Sequence, residues 1–172
     1  MINQLSADEK EIFTRVSQAG FINPFSRERE ALELQIAGLA HNVSRKKRTE
    51  AFVSAINARI YALEKDGKAT LNAFHGQERQ LMEAVFMVEL FYRFKDRFDD
   101  IIKQQIEAGS APVKIPFFND ALTAATHRGF DDDTFRRHLA LGFQIRRAFY
   151  FIDRNLLGNS PCMKSLRWNL WN

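Results

Sequence analysis

The sequence predicts an all-α protein, a helical bundle of about six or seven helices in which the fourth and the sixth are long. Two features of composition favour this class. Only eight Gly and four Pro occur in 172 residues, so turns are few and long helices are favoured over many short strands. Apolar residues make up 45% of the chain, with sixteen Phe among them. They recur at helical spacing in most segments, and almost no segment has the alternation of a strand.

Caps and chain breakers divide the first part of the chain into three predicted helices. Each begins after a serine that can accept a hydrogen bond from the free N–H groups of the first turn, and Glu9 completes a capping box in the first helix. The capping serines are Ser6, Ser26 and Ser44, and the predicted ends lie near Gly20, Ala40 and Gly67.

The long fourth helix is predicted over residues 69–107, with Gly76 as the point where it would kink or split. A loop follows over residues 109–117, in which Val113 and Ile115 are expected to be tucked against the bundle. A short fifth helix is predicted over residues 119–127. Asp131 to Asp133 then place negative charge at the start of the next helix, where the helix dipole favours it.

The sixth helix is predicted over residues 132–156, and its apolar residues extend beyond one stripe. A second start signal follows, with Ser160 at the cap and Pro161 at the first helical position. The helix after it carries Trp168 and Trp171, and we interpret it as the beginning of a further module. The predicted core face of the sixth helix comprises Phe135, Leu139, Gly142, Ile145, Phe149 and Ile152.

The charge pattern gives little support to nucleic-acid binding. The net charge is only +4, and basic and acidic residues are interleaved except at the run from Arg45 to Arg48, which is typical of a solvated helix end. The single Cys, Cys162, excludes an internal disulfide and fits a reducing cytoplasm. No signal peptide and no apolar stretch long enough for a membrane span is found, so the predicted location is cytoplasmic.

Arginines on the fourth and sixth helices are the best candidates for a ligand site. Guanidinium groups bind carboxylate or phosphate through paired hydrogen bonds, so two such helix faces that meet would form a pocket for an anionic effector. The alternative is internal ion pairing with Asp96, Asp99, Asp100 and Asp153. The candidate effector-binding residues are Arg93, Arg97, Gln144, Arg147 and Tyr150.

Phenylalanines on the sixth helix suggest a second use for it, the closing of a homodimer. The candidates for the dimer interface are Phe143, Phe149 and Phe151. No catalytic residue and no metal site is predicted, because His75 and Glu78 form one reversed pair where a di-iron bundle needs two Glu-x-x-His pairs. We therefore expect neither an enzyme nor a cofactor in this chain.

Four segments resemble one known family. Residues 157–167 (LGNSPCMKSLR) are similar to the stretch that opens the AAA+ ATPase module of bacterial sigma-54-dependent transcription activators. Residues 23–33 (NPFSREREALE), 128–130 (RGF) and 144–152 (QIRRAFYFI) resemble a subgroup of sigma-54-interacting regulators. The resemblance implies an N-terminal regulatory domain, followed by an ATPase that remodels sigma-54 RNA polymerase and by a domain that binds enhancer DNA.

The ATPase itself is not expected within this chain, because it has no G-x-x-x-x-G-K-[ST] motif. The predicted organisation is a helical regulatory domain over residues 1–156, with a linker and a first helix over residues 157–172 that lead into the AAA+ module. The predicted function is signal sensing, oligomerisation or both, in control of that module. The alternatives are a dimerisation module without a ligand and, with less support, a helical nucleic-acid-binding domain.

Overall fold

A computed structural model describes residues 5–172 of the chain. Within these residues it contains seven α-helices, one 3-10 turn and no strand, so the predicted all-α class with long fourth and sixth helices is confirmed. The elements are α1 (Ala7–Phe21), α2 (Arg27–Ala37), α3 (Arg45–Lys65), the 3-10 turn (Leu71–Ala73), α4 (Gly76–Ala108), α5 (Phe118–His127), α6 (Asp132–Asn155) and α7 (Pro161–Trp171).

The predicted helix caps are confirmed by their hydrogen bonds. Ser6 and Glu9 form a reciprocal capping box, in which the backbone N–H of Ser6 donates to Glu9 Oε2 at 2.7 Å. This bond holds the pKa of the Glu9 carboxyl below its ordinary value. Asp131 accepts from the backbone N–H of Thr134, which lowers the pKa of Asp131 as well. The serines before α2, α3 and α7 accept from backbone N–H groups in the same way.

Two predicted helix limits are wrong, and local contacts explain both. Helix α2 ends at Ala37, earlier than expected, because Gly38 adopts a left-handed conformation with φ of 63° and terminates it. Helix α4 begins only at Gly76, the residue at which a kink or split was predicted. The segment before it folds into the 3-10 turn, whose Leu71 is buried and accepts a hydrogen bond at 2.6 Å from Arg79 Nη1 through its carbonyl oxygen.

The loop before α5 also differs from expectation. Ile115 is 41% exposed, and the side chain that is buried instead is Phe117, at the cap position of α5. Val113 is half-buried. The loop is therefore attached to the protein through an aromatic ring at its end, which has more apolar surface to bury than either aliphatic side chain.

The described residues divide into two compact units, one that ends at Glu89 and one that runs from Leu90 to Asn172, and their border lies inside α4. The predicted boundary between residues 1–156 and 157–172 concerns a different division and stays a prediction. In the first unit, the fully buried residues include Phe13, Phe52, Phe74 and Phe86. Among the described residues, no helix combines the length and the apolar character needed to cross a membrane.

Candidate functional site

Helix α6 is held against α4 by a charged pair within the second unit. Arg146 donates from Nε to Asp99 Oδ1 and from Nη2 to Asp99 Oδ2, both at 2.6 Å. The two side chains are only 13% and 20% exposed. A bidentate pair of this kind fixes the orientation of both groups, and its partial burial reduces screening by salt. Arg146 thus sets which side of α6 faces the protein.

An aromatic cluster surrounds this contact. The rings of Phe94 and Phe117 are stacked with centroids 5.6 Å apart, and Phe98 meets Phe117 edge to face at 5.4 Å. Phe143 of α6 lies 6.0 Å from Phe98. Aromatic pairs in such geometries add about 0.5–1.5 kcal/mol each beyond the burial of area. The cluster accounts for four of the sixteen phenylalanines and joins α4, the start of α5 and α6.

The predicted core face of α6 requires one correction. Ile145 was expected to face the core, but it is 39% exposed, whereas Arg146 beside it contacts α4. Phe135 and Tyr150 are buried on the same side as Arg146. The apolar stripe in the sequence was a poor guide here, because the partly buried Arg146, with its carboxylate partner, faces α4 where the pattern placed Ile145.

The five candidate effector residues lie in different surroundings. Arg97 donates to Asp120 of α5 at 2.7 Å and also lies over the ring of Phe94. Arg93 is exposed and lies over the same ring at 5.9 Å. On α6, Gln144 and Arg147 are exposed, whereas Tyr150 is buried.

Several charged residues whose partners could not be assigned from the sequence form ion pairs within the second unit. Asp99 binds Arg146, and Asp96 binds Lys95 at 2.8 Å in a contact that lowers the pKa of Asp96. Lys103 binds Asp100, which raises the pKa of Lys103. The anionic-effector site stays a prediction, and within residues 5–172 Arg147 takes part in no salt bridge, although it lies over the ring of Phe151 at 6.0 Å.

The three dimer candidates are not equally accessible. Phe143 is half-buried against Phe98. Phe149 is half-buried and has the Arg146 guanidinium 5.0 Å from its ring centroid. Phe151 is 36% exposed and meets Tyr150 edge to face. Of the three, Phe151 therefore offers the most surface to another molecule.

The opposite side of α6 carries an apolar surface that the sequence analysis did not single out. Leu141 is 56% exposed and Ile145 is 39% exposed, and Ala148 between them and Phe151 is exposed as well. Residues three and four apart lie on one face of a helix, so these side chains form a continuous stripe. The spacing of these residues is visible in the sequence, but only the contact of Arg146 with α4 shows that this side of α6 points outward.

The junction between α6 and α7 is built around one arginine. Arg167 of α7 donates from Nη1 to the carbonyl oxygen of Leu156 at 2.6 Å, and from Nη1 and Nη2 to that of Gly158, both at 3.0 Å. A cation at the C-terminal end of a helix satisfies free carbonyl groups and interacts favourably with the dipole. The guanidinium thus binds α7 to the end of α6.

Helix α7 leaves apolar side chains exposed. Leu166, Trp168 and Leu170 are 39%, 45% and 57% exposed, and no residue of α7 is buried. Cys162 is exposed in the first turn of this helix.

A buried charged network, which was not predicted from the sequence, lies in the first unit. Arg29 and Arg48 each donate from Nε to Glu33, at 2.8 Å to opposite carboxylate oxygens. All three residues are buried, with exposures of 6%, 8% and 6% for Arg29, Arg48 and Glu33. Arg48 also binds Glu30 at 2.7 Å. The network joins α2 to α3.

This network corrects the interpretation of the basic run at the start of α3. The run was expected to be a solvated helix end, but Arg48 is buried and ion-paired. Arg45 donates to the carbonyl oxygen of Pro24 and lies over the ring of Phe25. The nucleic-acid alternative rested on this run, and two of its four cations are engaged with other segments of the protein.

Other possible sites are less developed. A surface depression of about 450 Å³ is lined by residues of α5 and by the start of α6, including His127 and Asp132. His138 has a buried Nδ1 without a hydrogen-bond partner and meets the ring of Phe130 edge to face. Among the described residues, no group of three His, Cys, Asp or Glu is arranged to hold a metal ion. Glu78, the sequence partner of His75, instead binds Lys10 at 2.7 Å.

Comparison of the chain with protein-family models, with curated proteins and with solved structures gives no match.

Proposed function

We propose that this chain is a regulatory domain that controls an AAA+ ATPase of the sigma-54-dependent type, and that α6 and α7 carry the control. The domain acts in the cytoplasm and has no catalytic activity of its own. The ATPase, the contact with sigma-54 RNA polymerase and the binding of enhancer DNA belong to modules other than this chain. The resemblance of residues 157–167 to the opening segment of such ATPases gives the class of partner.

The observation that carries the proposal is the set of hydrogen bonds from Arg167. This arginine closes the family-like segment LGNSPCMKSLR, and its guanidinium binds carbonyl oxygens of Leu156 and Gly158 at the end of α6. A displacement of α6 is therefore passed to α7 through bonds that resist extension, rather than being lost in a free linker. The exposed leucines and tryptophan of α7 supply the surface on which a neighbouring module would rest.

The inner side of α6 supports the same role. Its contact with α4 combines one bidentate ion pair, Arg146 with Asp99, and the aromatic ring of Phe143. Packed contacts of this kind have discrete alternatives rather than a continuous range of positions. A signal or a change in assembly that moves α6 against α4 would thus be converted into a defined displacement of α7.

The test uses the full-length activator that contains this chain, and it measures ATP hydrolysis and sigma-54-dependent transcription. Deletion of residues 1–156 should change both activities by about fivefold or more, which corresponds to the lower end of typical coupling free energies between sites. Arg167→Ala should reproduce the direction of that change because it removes the bonds between α7 and α6. Lys164→Ala, on the exposed side of the same helix, is the matched control and should behave as the wild type.

Equal activities with and without residues 1–156 would refute the regulatory role. If the deletion has its effect but Arg167→Ala behaves as Lys164→Ala does, the role assigned to the α6–α7 junction is wrong. Circular dichroism of the isolated chain verifies that both variants keep their helical content.

A further inference from the structure

We propose that two copies of this chain form an antiparallel dimer through the outward face of α6. The inference deepens the proposed function, because it names a second copy of this chain as the partner of α6, to which that function assigns the control. It rests on three observations, namely the spacing of exposed residues on α6, the distribution of charge along the helix, and the absence of salt bridges to those charges within the described residues.

The outward face of α6 has the spacing of a helix-pairing surface. Six positions alternate in steps of four and three residues, which is the spacing at which two helices pack along a common seam. All six side chains are exposed, and Ile145 lies beside them. The six seam residues are Arg137, Leu141, Gln144, Ala148, Phe151 and Asn155.

Charge changes sign along the edge of this seam. Asp133 stands at the N-terminal end, whereas Arg147 and Arg154 stand on the same edge at steps of fourteen and twenty-one residues, which are whole multiples of the seven-residue repeat. All three side chains are exposed. Within residues 5–172, Asp133 and Arg154 take part in no salt bridge, although Arg154 lies over the ring of Tyr150 at 4.6 Å.

An antiparallel arrangement pairs these charges, whereas a parallel arrangement does not. With the twofold axis between residues 142 and 143, Leu141 lies level with the partner's Gln144. Arg154 then lies about two residues, or ~3 Å along the axis, from the partner's Asp133. Because the contact is twofold, this ion pair forms twice. In a parallel pair in register, this edge would face the other edge of the partner's seam, where Ile145 and Ile152 stand, so the ion pair would not form.

A second copy also fits this face better than the other classes of partner. Nucleic acid would gain from the three arginines of this face, Arg137, Arg147 and Arg154, but would be repelled by Asp133 at the N-terminal end. The dipoles of two antiparallel helices are oppositely directed, so they add to the attraction between the copies. Phe151, the accessible member of the predicted dimer candidates, lies on the seam, and Phe143 and Phe149 do not.

The first experiment measures self-association of the whole chain by sedimentation velocity over a range of concentrations. The wild type should dimerise reversibly. Leu141→Arg should abolish association without loss of helical content, because Leu141 is exposed and its replacement costs the fold little. A chain that is monomeric at all concentrations would overturn the proposal, and so would association that Leu141→Arg leaves unchanged.

The second experiment is a charge exchange that is specific to the antiparallel pairing. Asp133→Arg and Arg154→Asp should each weaken the dimer by about tenfold, since each turns two exposed ion pairs into repulsive contacts. The double variant should restore association, because the two exchanged side chains again face each other across the twofold axis with opposite charges. Glu107→Arg, with the same change of charge on the exposed surface of α4, is the control and should have no effect.

Failure of the double variant to restore the dimer would exclude this pairing. Spin labels in the Cys162→Ala background provide an independent measurement of orientation. Labels placed by Gln144→Cys should lie close together, whereas labels placed by Asp133→Cys should be separated by about 28 Å along the axis. Short distances at both positions would indicate a parallel dimer and would refute the proposal.

These measurements use no ATPase, so the dimer and the proposed function can fail separately. If the chain is monomeric but deletion of residues 1–156 still alters the ATPase, the regulatory role stands and the dimer is refuted. If the chain dimerises but deletion of residues 1–156 leaves the ATPase unchanged, the dimer interface stands and the regulatory role is refuted.

Discussion

Replacement of Glu33 by glutamine tests whether the first unit depends on its buried charged network. Glu33 is the single carboxylate shared by the Nε groups of Arg29 and Arg48, and its side chain is only 8% exposed. Glutamine has nearly the same volume but carries one acceptor and one donor group. In the variant, one arginine Nε–H therefore faces an N–H donor, and Arg29 and Arg48 both lose the negative charge of Glu33, although Arg48 keeps its ion pair with Glu30.

The structure sets the expected magnitude. Removal of one partner from a buried ion pair typically costs about 3–5 kcal/mol, because an uncompensated charge remains in a region of low polarity. Glu30→Gln is the matched control, since Glu30 binds the same Arg48 but its side chain is 52% exposed. Its loss should be below ~1 kcal/mol, as for other exposed ion pairs. Both variants replace a glutamate that binds Arg48 by a glutamine of nearly the same volume. The main difference between them is therefore the burial of the glutamate side chain.

The assay is urea-induced unfolding followed by far-ultraviolet circular dichroism. Tryptophan fluorescence is unsuitable here, because both tryptophans are on α7, which belongs to the second unit. A loss for Glu33→Gln no larger than that for Glu30→Gln would refute the reasoning. A third variant, with Arg29→Met, Glu33→Leu and Arg48→Met together, should be more stable than Glu33→Gln, because it leaves no buried charge without a partner.

Two further predictions concern close packing and capping in the first unit. Gly20→Ala should lower the free energy of unfolding by ~1–3 kcal/mol, because a Cβ atom there would lie 2.6 Å from Val88 Cγ2, and the loss should shrink in a Val88→Ala background. An equal loss in both backgrounds, measured by urea unfolding, would contradict this account. Glu9→Ala should destabilise the protein at neutral pH but much less in acid. Because the Ser6 N–H lowers the Glu9 pKa from its ordinary value of 4.5, the contribution is complete above that value and is lost as the pH falls through the folded pKa. A wild-type advantage over Glu9→Ala that stays constant between neutral and acid pH would count against it.

Local signals in the sequence determined where most helices begin. Ser26, Ser44 and Ser160 each cap a helix as predicted, because the bond that a backbone N–H donates to the serine hydroxyl three residues before it depends only on neighbours in the chain. The all-α class followed from the scarcity of turn residues and from the helical spacing of apolar ones. Even the helical start of the segment with Trp168 could be predicted in this way.

The orientation of α6 was decided only by the tertiary structure. Its sequence is apolar on more than one side, so periodicity admitted several faces, and Ile145 was assigned to the wrong one. The choice depends on Asp99, which precedes Arg146 by 47 residues and binds it through both carboxylate oxygens. A local sequence pattern covers only a few neighbouring residues, so it cannot indicate a contact between residues 47 positions apart.

The same limit applies to the two charged features on which the predictions depend. Glu33 and Arg48 are 15 residues apart and lie on different helices, so the sequence shows a basic run where the folded protein has a buried network. Arg167 was visible as the last residue of a family-like segment, but its bonds to the end of α6 exist only because the chain turns back between the two helices. The sequence by itself determined which segments are helical and how they begin. Only the packing of those segments decided which side of α6 is buried and which side is left for a partner, since burial depends on contacts between residues far apart in the chain.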